Sequence, residues 1–105
     1  MIKSRILQVL REKGETLKQY HVRALYLFGS VAREEELPQS DVDILVLFDS
    51  EPTFDQYMEL KFYLEELFQR KVDLVTEAGL RPEIRKYVDK ERIRAAKNSN
   101  AYQHS

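Results

Sequence analysis

The chain has 105 residues, a net charge of −1, a third of its side chains charged and no cysteine. That length holds one domain with one core and a thin burial margin, so an obligate partner is plausible; a disulfide framework, a thiolate zinc site and a cysteine nucleophile are excluded. The balanced charge gives no global attraction to nucleic acid or anionic lipid, so neither direct nucleic-acid binding nor a membrane partner is expected.

Ile2, Ile6, Leu7, Leu10 and Leu17 recur at helical spacing and predict one helix over about 2–20, interrupted or strained at Gly14. Val22, Leu25, Leu27 and Phe28 then predict a strand that ends at Gly29-Ser30. Ser30 is placed as the N-cap of a brief helix running to about Glu34, followed by a loop at Leu37-Pro38-Gln39-Ser40. The acidic run Glu34-Glu35-Glu36 reads as solvated, and His21, just before the strand, has no assigned role.

The almost continuous apolar run Val42, Ile44 to Phe48 has the pattern of a central strand covered on both faces. Phe54, Tyr57, Met58, Leu60, Leu64, Leu67 and Phe68 predict a second long helix, with Tyr57, Tyr63 and Phe68 as packing residues. Val72, Leu74 and Val75 predict a short strand with Asp73 inside it. Pro82 suits a first helical turn, and Ile84, Tyr87, Val88 and Ile93 continue a last helical stripe. The expected fold is α/β (α+β): a small mixed sheet with helices packed against it, forming one domain over 1–97 with a polar tail at 98–105. The first residues lack the apolar core of a signal peptide, and no run approaches the roughly 20 apolar residues that span a bilayer. A cytoplasmic protein is expected.

The informative stretch is Gly29-Ser30, ten residues, then Asp41-Val42-Asp43. Side chains alternate along a strand, so Asp41 and Asp43 share a face. Two close carboxylates repel unless a cation joins them. Mg²⁺ takes one or two protein carboxylates and completes its shell with water and phosphate oxygens, so the pair points to a metal with a nucleotide. Gly29-Ser30, between strand and helix, offers close backbone approach and a hydroxyl donor to phosphates. Arg33, one turn on, can reach a phosphate or pair with a nearby acid. Asp73, on a strand suited to burial, can complete a two-metal site or accept the proton of an attacking hydroxyl. Taken singly, Gly-Ser reads as an ordinary turn and Asp-x-Asp as a solvated cap; it is the spacing of all three pieces that favours the site.

Leu27-Phe28-Gly29-Ser30-Val31-Ala32-Arg33, Ser40-Asp41-Val42-Asp43 and Val72-Asp73-Leu74-Val75 resemble, in order and spacing, the three conserved segments of the polymerase-β-like nucleotidyltransferases, above all the minimal single-domain members. Leu80-Arg81-Pro82-Glu83-Ile84 is similar to the closing segment of those members. The resemblance implies that Gly29 and Ser30, with Arg33, bind the triphosphate of ATP, that Asp41 and Asp43 bind Mg²⁺, and that Asp73 is a third ligand or the base. It further implies transfer of AMP to a hydroxyl, with a HEPN-domain ribonuclease toxin as partner and its tyrosine as acceptor, the chain acting as antitoxin. Two other readings stand beside this one: an antitoxin that only occludes its toxin, and a transferase acting on a small hydroxylated molecule, which the lack of residues for an acceptor domain disfavours. The sequence departs from the family pattern at Glu34, where a glycine usually follows the arginine.

Overall fold

The computed structural model describes residues 2–79, 82 and 93–97, with side chains described through 77 and at 79 and 82. The N-terminal stripe forms two helices, α1 (Ile2–Glu12) and α2 (Gly14–Gln19). The break falls at Lys13, whose amide is shared between the carbonyls of Val9 and Leu10 at 3.0 and 3.3 Å. The expected single helix is thus divided beside the glycine, where helix propensity is lowest. Strand β1 (Val22–Phe28) runs straight into a single helical turn, α3 (Gly29–Ala32), and strand β2 (Val42–Phe48) follows the loop. Helix α4 (Phe54–Phe68) opens on a reciprocal capping box: the Thr53 hydroxyl accepts from the Gln56 amide, and the Gln56 side chain accepts from the Thr53 amide. Strand β3 (Val72–Thr76) and a 3₁₀ turn at Glu77–Gly79 complete the continuous part.

The sheet order is β3-β2-β1-β4, with β4 (Ile93–Lys97) on the far edge. β1 is antiparallel to both β2 and β4, whereas β2 and β3 are parallel and joined through α4, so the sheet is mixed as expected. The expectation that Ile93 belongs to a last helix is corrected: Ile93 pairs with Leu27 and Lys97 with Ala24, in an antiparallel strand. Ile93-Arg94-Ala95-Ala96-Lys97 carries no local strand pattern, and the open edge of β1 decides its conformation by non-local hydrogen bonding. Of the expected last helix, Pro82 is helical, whereas Ile84, Tyr87 and Val88, like the tail 98–105, lie outside the described residues.

Ile6, Leu7, Leu10 and Leu17 from the first two helices, Leu60 and Leu64 from α4 and Val31 from α3 bury against Leu25, Leu27, Val42, Ile44, Val46, Val72 and Leu74 of the sheet. Tyr20 stacks on Tyr63, ring centroids 4.9 Å apart, and joins the end of α2 to α4. No described helix is long and apolar enough to cross a membrane.

Candidate active site

The acids meet because of strand register. Phe28 lies opposite Asp43 on one side, and Asp43 lies opposite Asp73 on the other. Adjacent strands run about 4.8 Å apart, which puts the two aspartates within reach of a shared hydrogen bond. Asp43 is half-buried between buried Val42 and Ile44, while Asp41 and Asp73 are exposed. The Asp43 carboxyl is pushed up to about 6, first by burial, then by the negative charges of Asp73 and Asp41 and by a hydrogen bond to Asp73; Arg33 offsets this weakly.

Gly29 is the other wall. It has φ +77, and a Cβ built on it would lie 2.8 Å from Cγ and 3.1 Å from Cβ of Asp43, with Oδ2 closer still. Glycine is required there twice over, for the left-handed backbone and for the approach of the carboxylate. Ser30 is half-buried. Its expected role as N-cap is corrected: the cap position is Phe28, and Ser30 is already the second residue of the turn.

The turn closes in a manner that explains Glu34. The Glu34 amide donates to the Val31 carbonyl at 3.0 Å and the Glu35 amide to the Ser30 carbonyl at 2.8 Å, the paired bonds of a Schellman end, so α3 stops at Ala32. That motif needs a left-handed residue at position 34, where φ is +61. Glutamate holds a conformation that favours glycine, and its side chain is tied to Lys3 at 3.6 Å. Glu35 accepts from Arg33 Nε at 2.9 Å. The acidic run is therefore only partly solvated as expected: Glu36 is half-buried, and its Oε1 has no hydrogen-bond partner among the described residues. Arg33 both pairs with Glu35 and projects its charge on Asp43.

The approach to Asp41 is fixed by the Leu37–Ser40 loop together with Arg70 and Lys71, which the sequence pattern does not single out. The Leu37 amide donates to Ser40 Oγ at 2.8 Å and the Ser40 amide to the Leu37 carbonyl at 2.9 Å. Arg70, just past α4, donates to the Ser40 carbonyl at 3.1 Å, and the Val42 amide bonds the Lys71 carbonyl at 2.9 Å. The one sequence signal for Arg70 is its place two residues before the acid-bearing strand.

Among the described residues no three acidic or histidine side chains form a closed ligand set for a metal ion. Asp43 instead shares a hydrogen bond with Asp73. The donor chemistry fits Mg²⁺ held by one or two carboxylates and completed by phosphate oxygens and water, and does not fit an all-protein cage.

This arrangement, a Gly-Ser turn against an aspartate that faces a second on the neighbouring strand, with a third just before the first, is that of a nucleotidyltransferase domain; the chain belongs to that family, whose pattern matches residues 3–95. Among its relatives, the protein adenylyltransferase MntA of Thermococcus cleftensis is 42% identical over 79 residues, 75% of this chain and 80% of the relative. A solved structure provisionally named a minimal nucleotidyltransferase is 40% identical, with a TM-score of 0.69 over 83% of this chain and 90% of that one. The complex of a tri-AMPylated HEPN toxin with an MNT antitoxin from Shewanella oneidensis shows the same fold, with a TM-score of 0.63 at 21% identity over 90% of this chain and 76% of the matched one.

Proposed function

We propose that the chain transfers AMP from Mg²⁺-bound ATP to a hydroxyl of a partner protein, the tyrosine of a HEPN-domain toxin, and so acts as its antitoxin. The observation that carries this reading is Asp43, half-buried beside Gly29 and hydrogen-bonded to Asp73 with Asp41 next to it, a concentration of negative charge that suits a hard cation brought with a triphosphate. Asp41 and Asp43 would hold Mg²⁺, with Asp73 as a third ligand or as the base. The metal, when bound, supplies neutralisation of the charge that develops on the α-phosphate and on departing pyrophosphate.

Gly29 and Ser30 admit the triphosphate, and Arg33 supplies positive charge on the same side. The acceptor hydroxyl attacks the α-phosphorus. A new oxygen–phosphorus bond forms, the bond to the β-phosphate bridging oxygen breaks, pyrophosphate leaves, and the hydroxyl proton passes to a carboxylate. The protein's contribution is position and electrostatics. The name of the Thermococcus relative and the AMP groups on the toxin of the Shewanella complex support this acceptor.

The test is the intact mass of a co-purified partner, or of a candidate HEPN toxin, after incubation with this protein, ATP and Mg²⁺. Addition of AMP units by the native protein and not by the Asp41→Ala/Asp43→Ala double variant is expected. Equal addition by both would overturn the assignment of the acids, and tight ATP binding without any addition would overturn the protein acceptor.

A further inference from the structure

β3 is the edge strand of the sheet, so alternate residues turn an amide and a carbonyl away from β2. Val42 N–H bonds Lys71 C=O, which sets the alternation: Val72 and Leu74 present their polar groups outward, on either side of Asp73. Among the described residues no strand pairs with them there. Helix α4 does so with side chains one turn apart on a single face.

Lys61 Nζ donates to the Val72 carbonyl at 3.0 Å, and the Val72 amide donates to Glu65 Oε2 at 3.0 Å. Lys61 also donates to that same Oε2 at 2.9 Å, closing a ring of three hydrogen bonds around one residue of the strand. The pair thereby offers Val72 an acceptor and a donor together, as a neighbouring strand would. Tyr57, one turn earlier, donates its hydroxyl to the Leu74 carbonyl. Both residues flanking Asp73 are therefore held by α4, and the negative charge of Asp73 reaches the Tyr57 hydroxyl at the end of that brace.

We propose that Lys61 and Glu65 are positioning residues for Asp73, fixing the edge strand through Val72 so that its carboxylate stays in register with Asp43. The inference rests on the reading of Asp73 as part of the metal-nucleotide site. Both members of the pair are half-buried, with side chains 27% exposed, so the ring is partly shielded from competing water. The Lys61 ammonium and the Val72 amide hold the Glu65 carboxyl below the usual carboxylate range, and it stays ionised at neutral pH. A surface ion pair at this helical spacing contributes little by itself. The pair's engagement with the strand backbone is what sets it apart from such a pair.

The experiment compares the parent with Glu65→Leu, Glu65→Gln and Lys61→Met, well below their unfolding midpoints, by three readouts: hydrogen exchange of the Val72 amide, Mn²⁺ affinity in the presence of ATP, and AMP transfer. Glu65→Leu is expected to speed Val72 exchange and to weaken Mn²⁺ binding about 10-fold or more, the usual effect of removing a partner that orients a ligand. Lys61→Met should act in the same direction. Glu65→Gln keeps an oxygen for the Val72 amide and should recover most of the loss. Faster Val72 exchange with Mn²⁺ affinity within about twofold of the parent in both Glu65→Leu and Lys61→Met would show a purely structural brace and overturn the inference. If Glu65→Leu does not fold, Lys61→Met decides the question alone. Absence of Mn²⁺ binding in the parent would overturn the functional reading and this inference together, an outcome distinct from the first.

Discussion

Replacing Gly29 with alanine separates the site from the fold. The backbone there has φ +77, and the added methyl would sit 2.8 Å from Asp43 Cγ and 3.1 Å from its Cβ. The left-handed conformation costs a residue with a Cβ about 1–2 kcal/mol. Turning Asp43 off its rotamer adds roughly 1 kcal/mol. Loss of glycine's freedom in the unfolded chain returns about 0.5 kcal/mol. The net is a destabilisation of about 2 kcal/mol, which lowers the thermal midpoint of a domain this size by roughly 8–15 °C. The domain should survive that loss at room temperature, whereas the carboxylate should not keep its place. A displacement of about 1 Å at a reacting centre costs on the order of 100-fold in rate. Thermal unfolding and AMP transfer, both measured on Gly29→Ala at 20 °C, should therefore disagree: folded protein with activity down by about two orders of magnitude. Gly14→Ala is the control, because a Cβ at Gly14 meets nothing within 4 Å, and it should leave activity unchanged and stability equal or slightly higher. Parent-like transfer by folded Gly29→Ala would refute the packing argument.

Glu34→Gly should raise stability by about 0.5–1 kcal/mol in urea unfolding, since relief of the left-handed strain outweighs the exposed 3.6 Å pair with Lys3; a loss would show that the side chain, not the backbone, governs the turn. Asp43 gives a pH test. Its carboxyl, raised from 3.8 to about 6, binds its proton more tightly folded than unfolded, so its contribution is present below about pH 4 and lost as pH rises through 6. After discounting for partial exposure this is about 1.5 kcal/mol, and metal-free urea unfolding of Asp43→Asn should lack that component between pH 4 and 7. Identical pH profiles for the two proteins would contradict it. The same titration makes apparent Mg²⁺ affinity fall below about pH 6. In the core, Leu10→Ala, fully buried against the sheet, should cost about 2–5 kcal/mol by the same unfolding assay without changing the Mg²⁺ dependence of the folded protein.

The contribution of sequence reading differs from element to element, for physical reasons. β2 and α4 are legible because an unbroken apolar run and a three-four spacing are local patterns that tertiary contacts reinforce, and the positions of Gly29, Asp41, Asp43 and Asp73 follow from such elements. Ile93 is not legible, because its strand exists only through the open edge of β1, far away in sequence. The cap at Phe28 and the left-handed Glu34 depend on backbone angles that composition at those positions does not announce. Arg70, Lys61 and Glu65 escape for a related reason: they bond main-chain atoms of Ser40 and Val72, and a main-chain partner leaves no mark on the partner's residue type.

That last feature bears on why the acids are there. A buried or half-buried carboxylate kept for stability is ordinarily met by a close cation or by amide donors. Among the described residues the neighbouring cations have other partners: Lys61 with Val72 and Glu65, Arg70 with the Ser40 carbonyl, Arg33 with Glu35. Among the described residues Arg33 is the cation that acts on Asp43, and it does so more weakly than burial or either neighbouring acid. Lys61 and Arg70 thus bond the backbone on either side of the acids, Arg33 bonds a glutamate, and among the described residues the acids' own charge stays largely concentrated. Such a concentration of charge opposes the isolated fold and, under the proposed function, would be offset by a divalent cation arriving with a nucleotide.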